Sequence, residues 1–331
     1  MHILIIKLGA LGDVINTIPL AIHLKESLNA HITWIVEPLS FPIIDNHTAC
    51  DRAILFDKKN WKKSLGHVSK LINKEKFDIT LDLQRILKSA FFTLKSNSKR
   101  KISFDKRRCK EMTWLLPYEK IPAKNQKSRH MLDQYLEFGE YLGVGLPDEI
   151  KWDIPDFKIK SLVNQDYVVL NIGATKPANK WFEDSFAKLC DLIFENTDFV
   201  PVLTGGMEDV AFSLKIQSMC KFPPINMTGR TTLAELSVLL KESSFIVSCD
   251  TGPMHLGVAL NKKVVALFGP SNPVRTGPYY GKIIRSLSSE CMECNQKRCE
   301  TRSCMKKIDP SRVFKAIFME PWHEKSVDFL S

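Results

Sequence analysis

The chain repeats one pattern, in which a short apolar, β-branched run ends at a turn bearing glycine or an acid and a helical segment follows. The first run, residues 2–7 (HILIIK), is wholly apolar between its ends, as a parallel strand covered on both faces requires. Six further runs predict strands at residues 31–36, 77–83, 167–172, 199–204, 245–248 and 263–268. Strands that alternate with helical segments predict parallel α/β sheets.

A charged, proline-bearing stretch at residues 151–166 interrupts the alternation and predicts a linker. A chain of 331 residues suits two domains, at about 100 to 200 residues each. We therefore expect Rossmann-like domains over residues 1–155 and 156–315, with a ligand cleft between them. The last segment, residues 316–331, is apolar enough to dock on another element.

Positive charge is concentrated in one part of the chain. Residues 56–130 hold 21 Lys and Arg against 7 Asp and Glu, so this part carries +14 while the whole chain carries +10. Such a field would attract nucleic acid, an anionic membrane surface or a polyanionic substrate, and an ordinary solvated surface explains it equally well. Charges interrupt every apolar stretch, so we expect a soluble, intracellular protein without a spanning helix or signal peptide.

The turn after the first strand, residues 7–13 (KLGALGD), carries two glycines and Asp13. Glycines here permit close approach of a ligand, and the start of the next helix suits an anion. The turn matches neither a Walker A loop nor a complete GxGxxG fingerprint. On its own, Asp13 is explained more simply as a carboxylate that stabilises a helix start.

Three loops in the second half follow predicted strands: residues 173–181 (GATKPANKW), 204–208 (TGGME) and 249–255 (CDTGPMH). Because the carboxyl ends of parallel strands meet at one edge, we expect Lys180, Glu208 and residues 250–255 to share one rim. The hydroxyl of Thr175, two lysines and backbone amides would suit a phosphate, and a plain polar surface loop is the alternative.

Four of the nine cysteines fall within 14 residues: Cys291, Cys294, Cys299 and Cys304. Four thiolates in one loop predict a closed, structural zinc site. An iron–sulfur cluster, two disulfides or four free thiols are the alternatives. We expect no catalytic role for this loop, because a closed site has no open coordination position and the phosphate-binding loops lie elsewhere in the sequence.

Taken in order, these motifs resemble glycosyltransferase family 9, the ADP-heptose:lipopolysaccharide heptosyltransferases. The resemblance covers nearly the whole chain and rests on KLGALGDV, FDITLDLQ with LKSA, KW after the linker, SCDTGPMHL and LFGPSNP. It implies the GT-B fold, with acceptor bound by the first domain and sugar nucleotide by the second. It also implies that residues 316–331 pack back on the first domain.

The resemblance implies inverting transfer of heptose from ADP-heptose to the Kdo and inner-core region of lipopolysaccharide. Asp13 matches the general base, and Lys180 matches the residue that stabilises the ADP leaving group. The other donor-binding matches are Gly12, Thr175, Glu208 for the ribose, Asp250, Thr251, Gly252 and His255. No Asp-x-Asp pair occurs in the sequence, so we expect catalysis without a metal cofactor and assign zinc only a structural role.

The resemblance also implies an acceptor that the basic segment, residues 56–130, would bind. Members similar to heptosyltransferase I act on an anionic lipid A core, which implies the acceptor contacts Lys58, Lys59, Lys62, Lys63, Arg107 and Arg108. Attraction to anionic lipid would then place a cytoplasmic enzyme peripherally on the inner face of the inner membrane. Arg85 stands where similar sequences carry glycine in QGLLKSA, and we expect it to narrow the acceptor cleft or to add an anion contact.

Two other functions start from the same residues. Another sugar-nucleotide transferase of the same fold would use the same loops. A nucleic-acid-binding protein would use residues 56–130, but that stretch contains no recognised RNA-binding motif, so we expect no nucleic-acid partner. The incomplete glycine fingerprint disfavours a Rossmann oxidoreductase.

Overall fold

Each half of the chain builds its own parallel sheet. The structure is a computed structural model that describes residues 1–109, 111–124, 129–286, 291 and 293–330. The chain divides into two units, Met1–Pro155 and Asp156–Ser331. Among the described residues, no helix combines the length and the apolar character needed to cross a bilayer.

The sheet of the first unit has the strand order β3-β2-β1-β4-β5-β6, with every pair parallel. Its strands are β1 (His2–Ile6), β2 (His31–Val36), β3 (Arg52–Leu55), β4 (Lys76–Asp82), β5 (Asn97–Phe104) and β6 (Glu119–Ile121). The helices are α1 (Leu11–Ile15), α2 (Ile18–Leu28), α3 (Phe41–Asp45), α4 (Trp61–Lys74), α5 (Leu87–Lys95) and α6 (Met131–Tyr141), with a short 3-10 helix at Met112–Leu115.

Two helices rather than one follow the first glycine turn. The chain leaves α1 at Asn16 and enters α2 after Thr17, and Pro19 lies in the first turn of α2. That position costs little, because the first backbone N–H groups of a helix have no intrahelical partner. The helix break allows α1 to present Asp13 while α2 buries its apolar residues.

The sheet of the second unit has the order β13-β12-β11-β10-β7-β8-β9, again all parallel. Its strands are β7 (Tyr167–Asn171), β8 (Val200–Thr204), β9 (Ile225–Asn226), β10 (Phe245–Cys249), β11 (Lys263–Phe268), β12 (Gly281–Arg285) and β13 (Val327–Leu330). The helices are α7 (Glu183–Asn196), α8 (Val210–Met219), α9 (Leu233–Glu242), α10 (Gly252–Ala259), α11 (Pro273–Thr276), α12 (Ser303–Lys306) and α13 (Pro310–Phe318), with 3-10 turns at Pro177–Asn179 and Met207–Asp209.

The C-terminal segment is part of the second unit, and its expected packing on the first domain stays a prediction. Residues Val327–Leu330 pair with β12 and so extend the second sheet. Before them, Phe318 and Trp322 lie 5.3 and 6.0 Å from the ring of Phe245, measured between ring centroids. Burial of these aromatic rings against the second core fixes the segment there.

Candidate functional site

Asp13 lies in the first turn of α1, just beyond the carboxyl end of β1. Its side chain is 29% exposed, so part of it is accessible to solvent. The Nζ of Lys7 lies 3.3 Å from its Oδ2, and the Tyr135 hydroxyl donates to its Oδ1 at 3.1 Å. A cation and a hydroxyl donor therefore hold the carboxylate in place.

Lys7 is buried, with only 1% of its side chain exposed. Its ammonium lies 5.0 Å from the centre of the Tyr135 ring and donates to the Leu83 carbonyl at 3.4 Å. A buried lysine needs partners to offset the loss of hydration. Here the partners are Asp13, an aromatic face and a backbone carbonyl.

Gln84 holds the glycine turn in place from the end of β4. Its Oε1 accepts hydrogen bonds from the backbone N–H groups of Leu8 and Gly9, at 3.1 and 3.3 Å. From the other side, the indole of Trp34 donates to the Lys7 carbonyl at 3.1 Å. Neighbouring strands thus determine where α1 begins, and with it the position of Asp13.

In the second unit, polar side chains join the carboxyl ends of β7, β8 and β10. The Asn171 amide donates to the hydroxyls of Ser248 and Thr251, both at 3.1 Å, and accepts from Thr204 at 3.4 Å. Thr251 and His255, both predicted donor contacts, are buried. The Thr251 hydroxyl therefore supports the strand ends, and Gly252 starts α10 directly after it.

Asp250 belongs to a second buried group beside this network. Its Oδ2 accepts from the Asn179 amide at 3.2 Å, and Asn179 also bonds to Ser271. Burial raises the pKa of the Asp250 carboxyl, against the hydrogen bond of Ser271 and the charge of Lys176, which lower it. These contacts link the loop after β10 to the loop that carries Lys180.

Lys180 follows the 3-10 turn after β7 and pairs with Asp209 at 2.6 Å. Its Nζ also lies 4.0 Å from the centre of the Phe212 ring. Glycine makes this arrangement possible, since a Cβ at Gly173 would lie 2.8 Å from Asp209 Oδ2. The two remaining predicted donor residues of these loops, Thr175 and Glu208, are exposed.

A cavity of 620 Å³ opens beside Lys180. Its lining comes from two stretches far apart in sequence, namely Pro177, Lys180, Glu183 and Phe212, and Arg298, Cys299, Glu300 and Arg302. The cysteine-bearing loop, which we define as residues 291 and 293–304, therefore lies against the predicted donor lysine. This loop is far along the sequence from the predicted phosphate-binding loops, so the sequence did not indicate that it lies next to Lys180.

The four cysteines of this loop have different surroundings. Burial, with the neighbouring Cys291 thiol, raises the pKa of Cys304 to about 11. Hydrogen bonds from the Arg302 backbone and the Thr301 hydroxyl lower the pKa of the Cys299 thiol, while Cys294 is exposed. Within the residues that the structure describes, no three His, Cys, Asp or Glu side chains are arranged to hold a metal ion. The zinc site stays a prediction.

The predicted acceptor cations separate into exposed and buried groups. The exposed ones are Lys58, Lys59, Lys62, Lys63 and Arg107, and Trp61 beside them is 50% exposed. Arg108 is buried, where it pairs with Asp105 and Glu137 and donates to the Ile121 carbonyl at 2.6 Å. Its guanidinium is occupied by protein partners, which contradicts the predicted acceptor contact.

Arg85 is also buried, although it was expected at the acceptor cleft. Its backbone φ of 68° is in the left-handed region that glycine adopts without strain. Similar sequences carry glycine at this position. The guanidinium packs 5.1 Å from the Phe104 ring centre and donates to the Arg108 carbonyl at 3.4 Å. Arg85 therefore belongs to the core of the first unit and offers no anion contact at its surface.

Sequence analysis did not identify four residues that complete these sites: Lys7, Tyr135, Asp209 and Arg302. Lys7 had a local signal, since it is a lysine at the end of an otherwise buried strand. Asp209 directly follows the predicted ribose contact. Tyr135 and Arg302 each lie 122 residues from their partners, Asp13 and Lys180, and no local pattern indicates such pairs.

Comparisons with known proteins point to one family. The model of glycosyltransferase family 9 (heptosyltransferase) matches residues 66–305. The lipopolysaccharide core heptosyltransferase OpsX of Haemophilus influenzae is 27% identical over 285 residues, 83% of this chain and 81% of that protein.

Two solved structures match nearly the whole chain. The glycosyl transferase family 9 structure from Veillonella parvula is 24% identical, with a TM-score of 0.79 over 95% of both chains. The E. coli heptosyltransferase WaaC with ADP is 21% identical, with a TM-score of 0.77 over 95% of this chain and 98% of that chain. At these identities the structures establish the fold, and the predicted GT-B class is confirmed.

Proposed function

The chain belongs to glycosyltransferase family 9, and we propose that it transfers heptose from ADP-heptose to the Kdo and inner-core region of lipopolysaccharide. Membership makes it a glycosyltransferase of the heptosyltransferase class. The observation that carries the proposed mechanism is the partly exposed Asp13 side chain, whose carboxylate contacts Lys7 and Tyr135.

Asp13 is the general base in this proposal. It takes the proton of the acceptor hydroxyl as that oxygen forms a bond to the anomeric carbon and the carbon–phosphate oxygen bond breaks, with inversion. The contacts of Lys7 and Tyr135 support this role, because they hold the carboxylate in a fixed position. General base catalysis contributes about 100- to 10,000-fold.

Lys180 stabilises the departing ADP, with the Thr175 hydroxyl and the backbone amides of Thr251 and Gly252. The charge of Lys180 is held by Asp209 in the structure, so a diphosphate would compete with that carboxylate. Glu208 is exposed at the 3-10 turn after β8, a position from which a carboxylate can bind ribose hydroxyls. Lysine, hydroxyl and amide groups then stabilise the negative charge that develops on the leaving group. We propose that no metal cofactor takes part.

The acceptor contacts are the exposed cations at the start of α4, together with Arg107. Lys58, Lys59, Lys62 and Lys63 cluster around Trp61, and the Nζ of Lys62 lies 5.8 Å from its ring centre. Such ammonium groups would pair with the carboxylates and phosphates of an anionic lipid A core.

Exposed apolar residues of the first unit support the proposed peripheral contact with the inner membrane. Leu87, Met112 and Leu115 are 59%, 63% and 57% exposed. They belong to one surface, because the backbone N–H of Leu87 donates to the Glu111 carboxylate at 2.6 Å, directly before Met112. Exposed apolar side chains flanked by lysines suit the interface of an anionic bilayer. This would place the enzyme at the cytoplasmic face.

The activity is tested by incubating the protein with ADP-heptose and defined Kdo-bearing acceptors, with product detection by mass. Asp13→Asn should cut turnover at least 100-fold while ADP affinity and melting temperature stay near those of the wild type. Lys180→Ala should weaken ADP binding as well as turnover. Full turnover of Asp13→Asn would return Asp13 to a helix-stabilising role, and transfer from a different sugar nucleotide would favour the alternative donor.

Membrane contact needs its own measurement. Cosedimentation with phosphatidylglycerol vesicles should exceed that with phosphatidylcholine vesicles, and the Met112→Ser, Leu115→Ser double variant should reduce it. Leu214→Ser, at a residue equally exposed in the second unit, is the matched control. Equal binding to both lipids, or an unchanged double variant, would contradict the proposal.

A further inference from the structure

The cysteine-bearing loop is bound to the loop that carries Lys180. The backbone N–H of Ala178 donates to the Lys297 carbonyl at 3.2 Å, and the Nζ of Lys176 donates to Asn295 Oδ1 at 3.3 Å. One is a backbone contact and the other a side-chain contact, so the two loops meet over several residues. The cysteine-bearing loop therefore forms one wall of the site around Lys180.

Arg302 makes the contact nearest to Lys180. Its Nη1 donates to the Lys180 carbonyl at 2.9 Å, and its guanidinium lies 4.1 Å from the centre of the Phe182 ring. An arginine stacked on a ring has lost most of its rotational freedom before it donates. Its own backbone is held as well, since its N–H donates to the Cys299 thiol at 3.4 Å.

Lys180 depends on such contacts, because little regular structure surrounds it. Between the end of β7 and the start of α7, the backbone forms only the short 3-10 turn at Pro177–Asn179. The Nζ of Lys180 is directed to Asp209 across the Phe212 ring. A shift of the Lys180 backbone would move the ammonium away from both.

We propose that Arg302 is a positioning residue for Lys180, through which the cysteine-bearing loop sets the affinity for the diphosphate of the donor. The proposal rests on the proposed role of Lys180 at that diphosphate. Arg302 acts through the backbone of Lys180. Loss of Arg302 therefore weakens ADP binding only to the extent that Lys180 itself contributes to that binding. Its position in the same 620 Å³ cavity as Lys180 is the geometric basis.

A double-mutant cycle on ADP affinity tests this dependence. Calorimetry would give the dissociation constant for the wild type, Arg302→Ala, Lys180→Ala and the double variant. We expect Arg302→Ala to weaken ADP binding by about 10-fold in the wild-type background and by less than about 3-fold when Lys180 is already alanine. The same variant should raise KM for the donor more than it lowers kcat.

Arg302→Lys and Lys306→Ala are the matched controls. Lysine at position 302 keeps the charge and loses the planar stack, so it should restore part of the affinity. Lys306 is an exposed cation of the neighbouring helix α12, and its loss should leave ADP binding unchanged. Melting temperatures of all variants separate a folding defect from a local one, and the lysine variant keeps the test valid where Arg302→Ala is unstable.

Two results would overturn the inference in different ways. An equal loss on Arg302→Ala in both backgrounds would show that Arg302 does not act through Lys180. A normal ADP affinity of Lys180→Ala would overturn both this inference and the proposed role of Lys180. A weakened Lys180→Ala beside an unchanged Arg302→Ala would overturn only the positioning role.

Discussion

Replacing Lys7 by methionine tests the contacts that hold the proposed base. Methionine keeps most of the buried volume of the side chain and removes the ammonium that lies 3.3 Å from Asp13 Oδ2. Loss of this neighbouring positive charge should make Asp13 harder to ionise. The acid limb of the pH profile of kcat/KM should then move to higher pH.

The size of the shift follows from the geometry. Two unit charges 3.3 Å apart interact by about 5 kcal/mol at an effective dielectric of about 20, which is a ceiling. Asp13 is 29% exposed, so solvent screens the pair. Removal of this positive charge should therefore move the acid limb to higher pH.

Stability should change much less than activity. Lys7→Met removes an ion pair, and it also removes the cost of burying an ammonium, which is several kcal/mol in protein interiors. Because the remaining carboxylate can hydrate, we expect a net change in the free energy of unfolding within about 2 kcal/mol. Urea titration measures this change on the same preparation.

The assay is heptosyl transfer from ADP-heptose between about pH 5 and 9, with kcat/KM fitted at each pH. Lys7→Met should lose most activity at low pH and regain it at high pH. Tyr135→Phe removes one hydrogen bond of 3.1 Å to Asp13 and should give a smaller shift in the same direction. An acid limb that stays in place in Lys7→Met, at normal activity and stability, would refute the proposed electrostatic support of the base.

Three further predictions concern groups outside the reaction. Burial raises the pKa of the Asp82 carboxyl, so its ionisation in the folded state lowers the free energy of unfolding as pH rises from about 4. Asp82→Asn should therefore be more resistant to urea than the wild type at pH 7, and the difference between the two should become smaller toward pH 4. Glu137→Gln breaks a buried ion pair and should cost about 3 to 5 kcal/mol in urea unfolding, whereas Glu140→Gln, which loses an exposed partner, should cost under about 1 kcal/mol. Protein purified without chelator should contain about one zinc per chain, lost with stability in a Cys291→Ser, Cys294→Ser variant, and metal-free protein with four alkylatable thiols would contradict that site.

The central strands of both sheets were predictable because burial on both faces leaves a continuous apolar run. All seven predicted strands are confirmed, as β1, β2, β4, β7, β8, β10 and β11. The strand Asn97–Phe104 was not predicted, because its first five residues include Lys99, Arg100 and Lys101. These five residues are exposed or half-buried and only Ile102–Phe104 are buried, so their composition is typical of a basic loop.

Site residues were predictable where they follow a strand directly. Lys180 and Asp250 occupy loops at the ends of neighbouring strands and are linked through Asn179, as parallel topology requires. The roles of charged residues within one loop were not predictable. Glu208 is exposed whereas Asp209 turns inward to Lys180, because the 3-10 turn Met207–Asp209 directs adjacent side chains to different sides.

Helix α6 shows why the basic segment cannot act as a single surface. Its Tyr135 donates to Asp13, and two residues later Glu137 pairs with the buried guanidinium of Arg108 and with Arg129 at 3.1 Å. Arg108 also donates to the Ile121 carbonyl, so it fixes the same helix that supports the proposed base. Loss of Arg108 would therefore move Tyr135 and lower turnover even if the acceptor never touched it. A reduced kcat at unchanged acceptor KM in Arg108→Ala would identify this structural effect. Variants of the exposed cations, the lysines around Trp61 and Arg107, are therefore the ones that test acceptor binding.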